Sequence, residues 1–192
     1  MKEEAFRGFI AIPSPSLLLQ RLQALEDELK ELRLDCKWVL PQRIHLTLKF
    51  LGETPFSFLE NLKVSLEKIA TDHSSFSFDV DRFGAFPNPR RPRILWVGRD
   101  ETPPELQHLV DSLESACVGL GFQKEDRSFK PHLTVGRLRS PKNSDRLEKW
   151  VKENPLSWRE EFPCERVVLF QSVLRPDGPI YTPLYEVSLK KI

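Results

Sequence analysis

The segment His45-Leu46-Thr47-Leu48 returns 87 residues later as His132-Leu133-Thr134-Val135, and no other feature of the chain limits its architecture as much. Successive side chains of a β-strand point to opposite faces. Each copy therefore reads as a strand with a histidine and a threonine on one face and two aliphatic residues turned into a core. The interval is longer than the period of a solenoid repeat, so it points to a duplication into two lobes rather than a stack of small units.

The surroundings of the two copies repeat the order strand, helix, strand, helix, strand. Gly8 to Ile12 alternates as a strand, and Leu18, Leu22, Leu25, Leu29 and Leu32 mark one helix face. That stripe is too short for a coiled-coil seam and suits a core-facing amphipathic helix. Ile44 to Leu51 is the next strand. Thr54-Pro55 then supplies an N-cap and first-turn proline for a helix with the stripe Leu59, Leu62, Leu66 and Ile69, and Phe76, Phe78 and Val80 alternate as a strand. After a proline-rich turn from Phe86 to Pro92, Ile94 to Val97 opens the second half. Thr102 and Glu105 frame Pro103-Pro104 as a capping box for the stripe Leu106, Leu109, Leu113 and Cys117, which runs to Gly119 and Gly121. His132 to Leu138 is a strand, Leu147, Trp150 and Val151 mark a short helix ending at Asn154-Pro155, and strands follow near Val167 to Phe170 and Tyr185 to Leu189. No flexible linker divides the halves. The expected arrangement is an α+β fold in which residues 1–192 form one domain of two pseudo-symmetric lobes around a shared cleft.

Composition enters through what it excludes. At 192 residues with 40% hydrophobic residues and 13 Phe, the chain is able to bury a substantial core and is not of the disordered class. Cys36, Cys117 and Cys164 lack the paired spacing of thiolate metal sites or redox motifs, and read as buried thiols in a reducing compartment. The charged start and the stop at Pro13 leave no signal-peptide core, and no apolar run reaches the ~20 residues of a membrane span. A cytoplasmic, monomeric protein without membrane contact is the resulting expectation. The net charge is only +1, yet cations concentrate in three stretches: 37–49 and 86–99, which hold no acid, and 124–142, which holds two. Such clustering suits local capture of an anion rather than general adhesion to nucleic acid.

A twofold relation between lobes would bring the two His-Thr pairs together across the cleft. Two imidazoles and two hydroxyls around one point answer the needs of opening a cyclic phosphodiester, in which a base takes a proton from water and an acid protonates the departing ribose oxygen. Histidine, with an ordinary pKa of about 6.5, serves either role near neutrality. Thr47 and Thr134 would donate to the non-bridging phosphate oxygens, and Arg137, five residues after His132, is the candidate guanidinium for charge in the transition state. In the first copy that place belongs to Phe50, with Lys49 beside it. The residues alone leave open which histidine is acid and which is base. His73 and His108 read as surface histidines, and there is no H-E-x-x-H, clustered Cys/His, P-loop or G-x-S-x-G, so neither a metal nor another cofactor is called for.

With these residues in view, the chain resembles the 2H phosphoesterase superfamily, and within it the bacterial and archaeal RNA 2',3'-cyclic phosphodiesterases, also called 2'-5' RNA ligases. The likeness extends through Phe9-Ile10-Ala11-Ile12, the run from His45 to Glu53, Ile94-Leu95-Trp96-Val97-Gly98, the run from Phe129 to Arg137, and Tyr181-Thr182-Pro183-Leu184. It implies a bilobal fold with two antiparallel sheets flanking a central cleft and helices outside. It further implies metal-independent hydrolysis of an RNA 2',3'-cyclic phosphate to a 2'-phosphate. His45 would be the proton donor to the leaving 3' oxygen and His132 the base acting on water, with Thr47, Thr134 and Arg137 holding the phosphate. The partner implied is an RNA end, tRNA fragments included, because family members also join tRNA halves through a 2'-5' linkage. Phe129 and Tyr181 are candidates for contact with bases, though either could be a packing residue, and the Arg90, Arg91 and Arg93 turn is a candidate contact for longer RNA. Two other readings remain: a module that binds phosphorylated RNA ends without turnover, and a sister activity on a 2',5'-linked oligoadenylate or a small cyclic nucleotide phosphate.

Overall fold

The computed structural model describes residues 4–176 and 178–191. Ten strands and four helices follow one another as β1 (Ala5–Pro13), α1 (Ser16–Lys30), β2 (Cys36–Trp38), β3 (His45–Pro55), α2 (Leu59–Asp72), β4 (Phe76–Val80), β5 (Arg82–Phe86), β6 (Ile94–Gly98), α3 (Pro104–Gly119), β7 (His132–Leu138), α4 (Ser144–Glu153), β8 (Glu160–Cys164), β9 (Arg166–Val173) and β10 (Ile180–Ser188). The fold is α+β, with one large antiparallel sheet and a small second sheet made of β4 and β8. No helix among the described residues is long and apolar enough to cross a membrane.

The large sheet consists of two four-stranded halves, β10-β9-β1-β3 and β2-β7-β6-β5. They meet at a single antiparallel pair, Leu46 of β3 with Leu133 of β7. The halves are not the halves of the sequence. Strand β5, from the first repeat, pairs with β6 of the second, whereas β9, from the second, pairs with β1 of the first. Each repeat thus lends two strands to the other, β2 and β5 from the first and β9 and β10 from the second.

All four helices pack on one face of this sheet. Leu18 and Leu22 of α1, Leu62 and Leu66 of α2, Leu106 and Leu113 of α3 and Leu147 of α4 form one apolar cluster with Ile10, Ile12, Leu46, Leu95, Val97 and Leu133 from the strands. Burying a side chain of this size contributes roughly 1.5–3 kcal/mol, so the helices fix which sheet face is closed. The histidine face remains open.

Two caps expected from the sequence are not formed. Thr54 lies within β3, fully buried, and donates its Oγ1 hydrogen to the Gly52 carbonyl at 3.2 Å, while α2 begins later, at Leu59. Thr102 donates to the Phe129 carbonyl at 3.3 Å, and Pro103 stands at the N-cap of α3 with no side-chain cap bond. In both cases a carbonyl outside the helix takes the hydroxyl that a local cap would have used. The three cysteines are free, Cys117 and Cys164 buried and Cys36 half-buried.

Candidate active site

The Leu46–Leu133 pair fixes where the two motifs lie relative to each other. In an antiparallel pair this register sets His45 beside Thr134 and Thr47 beside His132, with all four side chains on the face opposite the leucines. Directly opposed residues have Cβ atoms roughly 5 Å apart and diagonal ones about 7–8 Å. The two histidines occupy one diagonal and the two threonines the other, a spacing at which two imidazoles flank a single phosphate.

Arg137 reaches this face through a bulge. Simple alternation would turn a residue five places after His132 toward the core. The β6–β7 register, however, runs Trp96 to Thr134 and then Leu95 to Gly136, so Val135 is an extra residue. Val135 and Gly136 both point inward, and Arg137 emerges exposed on the histidine side. The first copy has the same irregularity: Ala11 pairs with Thr47 and Ile10 with Lys49, making Leu48 the extra residue. There the inward residue after the bulge is Lys49, 5% exposed and paired with Glu114 of α3 at 2.8 Å, and the outward one is Phe50, 65% exposed. Bulges of this kind re-aim side chains beside functional sites.

Each histidine is oriented in the same way. His45 Nδ1 lies 2.8 Å from the Arg43 carbonyl and His132 Nδ1 2.8 Å from the Lys130 carbonyl. A carbonyl only accepts, so each Nδ1 carries a hydrogen, and in the neutral ring Nε2 is left as the free base. Burial pushes the His45 imidazole down to about 4, with the charges of Arg137 and His132 acting in the same direction against the Arg43 carbonyl. His132 is lowered as well, by burial first and then by Arg137, with the Lys130 carbonyl opposing. Both rings are therefore biased toward the neutral form.

The walls differ in character. Beside His45, Phe9 stacks at 4.8 Å between ring centroids and Tyr181 meets the imidazole edge-on at 5.2 Å, with Phe170 stacked on Phe9 at 5.2 Å. Beside His132, Phe86 is edge-on at 5.1 Å and is itself stacked on Trp96. Of the two aromatic candidates from the sequence, Tyr181 is at the site and Phe129 packs against the core. Phe9, Phe86, Trp96 and Phe170 were not singled out there. Phe9 and Trp96 had a signal, since they are large apolar residues out of phase with the core-facing Ile10, Ile12, Leu95 and Val97.

The other two histidines lie elsewhere. His108 is exposed on α3, and half-buried His73 has its Nε2 2.9 Å from Ser112 Oγ. Among the described residues no group of three His, Cys, Asp or Glu side chains is placed to hold a metal ion.

Comparison with known proteins agrees with the duplicated architecture. The model of the LigT-like phosphoesterase family matches twice, over residues 12–96 and 97–181. An RNA 2',3'-cyclic phosphodiesterase of Methanothermobacter thermautotrophicus is 33% identical over 93% of this chain and 96% of its own length. One from Archaeoglobus fulgidus is 34% identical over 93% and 97%. A crystal structure of a Thermus thermophilus protein superposes with a TM-score of 0.80 at 27% identity, covering 96% of this chain and 98% of that one.

Proposed function

Because this chain belongs to the LigT-like phosphoesterase family, we propose that it is a phosphodiesterase that opens 2',3'-cyclic phosphates at RNA ends, with His45 and His132 as its acid and base. One observation carries the reading. Two His-Thr pairs from separate strands stand on one open face around the Leu46–Leu133 pair, with Nδ1 of each imidazole tied to a backbone carbonyl.

The steps follow from the groups present. The cyclic phosphate sits between the imidazoles, its non-bridging oxygens accepting hydrogen bonds from Thr47, Thr134 and Arg137. His132 Nε2 takes a proton from water as the water oxygen bonds to phosphorus. The bond from phosphorus to the 3' oxygen breaks, and protonated His45 delivers its Nε2 proton to that oxygen. The products are a 2'-phosphomonoester and a free 3'-hydroxyl. An entering phosphate anion favours the charged imidazole that burial disfavours, so substrate binding itself supplies the protonated acid. Arg137 offsets the negative charge that grows on the equatorial oxygens. When a ribose 5'-hydroxyl replaces water, the same groups form a 2'-5' linkage, which is how tRNA halves would be joined.

The decisive experiment incubates the protein with an RNA ending in a 2',3'-cyclic phosphate, in the presence of EDTA, and identifies the phosphomonoester formed. The expected product is a 2'-phosphate, and His45→Ala or His132→Ala should each lower turnover about 10²–10⁴-fold, the usual weight of general acid or base catalysis. Full turnover by either variant would overturn the proposal. Tight binding of the RNA with no product would favour a binding module instead.

A further inference from the structure

Lys37 of β2 lies directly opposite Arg137 of β7 in the antiparallel register. Residues so paired project from the same sheet face, so Lys37 shares the histidine face with Arg137. Both are exposed. Among the described residues neither forms an ion pair with a carboxylate, although eleven other such pairs occur across the molecule. Like charges directly opposed in a sheet repel, and a carboxylate neighbour is the common remedy. Among the described residues none is supplied.

A third cation converges on the same spot. Gly178, in the turn between β9 and β10, has φ of +127°. Any side chain there would strike the Arg43 guanidinium and bring its Cβ to 4.0 Å from Lys37 Nζ. The turn thus lies against both head groups, and Arg43 is the residue whose carbonyl holds His45. Beside His45, Lys37 and Arg137 alone bring two exposed cations, more positive charge than the single negative charge of a cyclic phosphodiester requires. In an RNA that ends in a cyclic phosphate the chain continues only on the 5' side. The next anion it presents is the phosphodiester on the 5' oxygen of the terminal nucleotide.

We propose that Lys37 binds this upstream phosphodiester, so that the site selects oligonucleotides over single nucleotides. The inference rests on the cyclic-phosphate reading given above and adds a second phosphate position to it.

The test compares two dinucleotides ending in a 2',3'-cyclic phosphate, one with a natural internal phosphodiester and one with an uncharged methylphosphonate in its place. The unmodified protein should show a kcat/KM about tenfold higher on the charged substrate, the weight of one hydrogen bond to a charged group. Lys37→Met should bring that ratio close to one, whereas Lys68→Met, on α2 at the helix-covered face, should keep it. As a second measurement, Lys37→Gln should make the fall of log kcat/KM with log salt shallower by about 0.7 on the natural dinucleotide. A wild-type ratio near one overturns the inference. So does a Lys37→Met variant that slows both substrates alike and keeps the ratio, because Lys37 would then serve the reacting phosphate. If the unmodified protein opens neither dinucleotide, the cyclic-phosphate reading fails first, an outcome separate from the loss of the ratio alone.

Discussion

Replacing Lys49 by methionine tests the polar junction behind the first bulge. The ammonium lies 2.8 Å from one Glu114 oxygen and 3.0 Å from the other, and donates to the Gln123 carbonyl at 2.8 Å. Two charges at 2.8 Å attract by about 6 kcal/mol at an effective dielectric of 20, most of it offset by the desolvation of a nearly buried ammonium. Removing one partner of a buried pair costs about 3–5 kcal/mol because the other charge is stranded. Glu114 keeps 20% side-chain exposure and still accepts the Glu125 N–H at 2.8 Å, so Lys49→Met should cost about 3 kcal/mol, at the low end of that range. Burial works to raise the Glu114 carboxyl, but the Lys49 hydrogen bond, the Glu125 N–H and the charges of Lys49 and Lys124 outweigh it and leave it below the ordinary value. A carboxylate depressed in the folded state contributes stability that is present above its unfolded pKa and lost as pH falls through the folded one. The gap between parent and variant should therefore be full at pH 7 and narrow below the ordinary glutamate value of 4.5. Urea unfolding on both sides of that value measures it, with an unchanged m-value expected. Adding Glu114→Gln to Lys49→Met should recover about half the loss by removing the stranded charge. A loss under about 1 kcal/mol at pH 7, or a double variant less stable than the single one, would refute the reasoning.

Three further outcomes are expected. Gly136→Ala puts a Cβ 2.6 Å from Cys36 Sγ and 3.1 Å from Trp38 Cε3; it should cost about 1–3 kcal/mol as overpacking, partly relieved by Cys36→Ala, and equal stability of single and double variants in urea would contradict this. Arg137→Gln should lower kcat/KM on a cyclic-phosphate RNA about 10²-fold, the weight of one transition-state donor, while thermal unfolding stays unchanged because the side chain is exposed. Since burial lowers both imidazoles, His45 to about 4, the singly protonated pair is most populated in the free protein at acidic pH, and kcat/KM should peak below neutrality and decline above. Bound phosphate favours the imidazolium, so the kcat profile should be displaced to higher pH; a kcat/KM optimum above pH 7 would count against the assignment.

Much of this molecule is legible in the chain. The stripes of α1, α2 and α3 are periodic over several turns, and the faces they mark are the buried ones. The parity of His45 with Thr47, and of His132 with Thr134, holds because both motifs lie before their bulges. Beyond each bulge, local pattern no longer determines which way a side chain points. Whether Arg137 faces the histidines depends on cross-strand register, which leaves Val135 unmatched on β6. The caps expected at Thr54 and Thr102 fail for a similar reason, because each hydroxyl finds a carbonyl outside the helix it was to cap. Strands β2, β5 and β8 give weak signals: β2 has three residues, β5 includes Gly84 and an exposed Arg82, and β8 carries two glutamates and a proline.

The exchange of strands between repeats also dictates when the structure forms. During synthesis from the N-terminus, β1 emerges early, yet one of its edges has no partner until Val168 to Gln171 have left the ribosome. Pairing over so long a stretch of chain is slow, and an unpaired edge in a nascent polypeptide invites association with other chains. The face that carries the two histidines is thus completed only after β9 has been made.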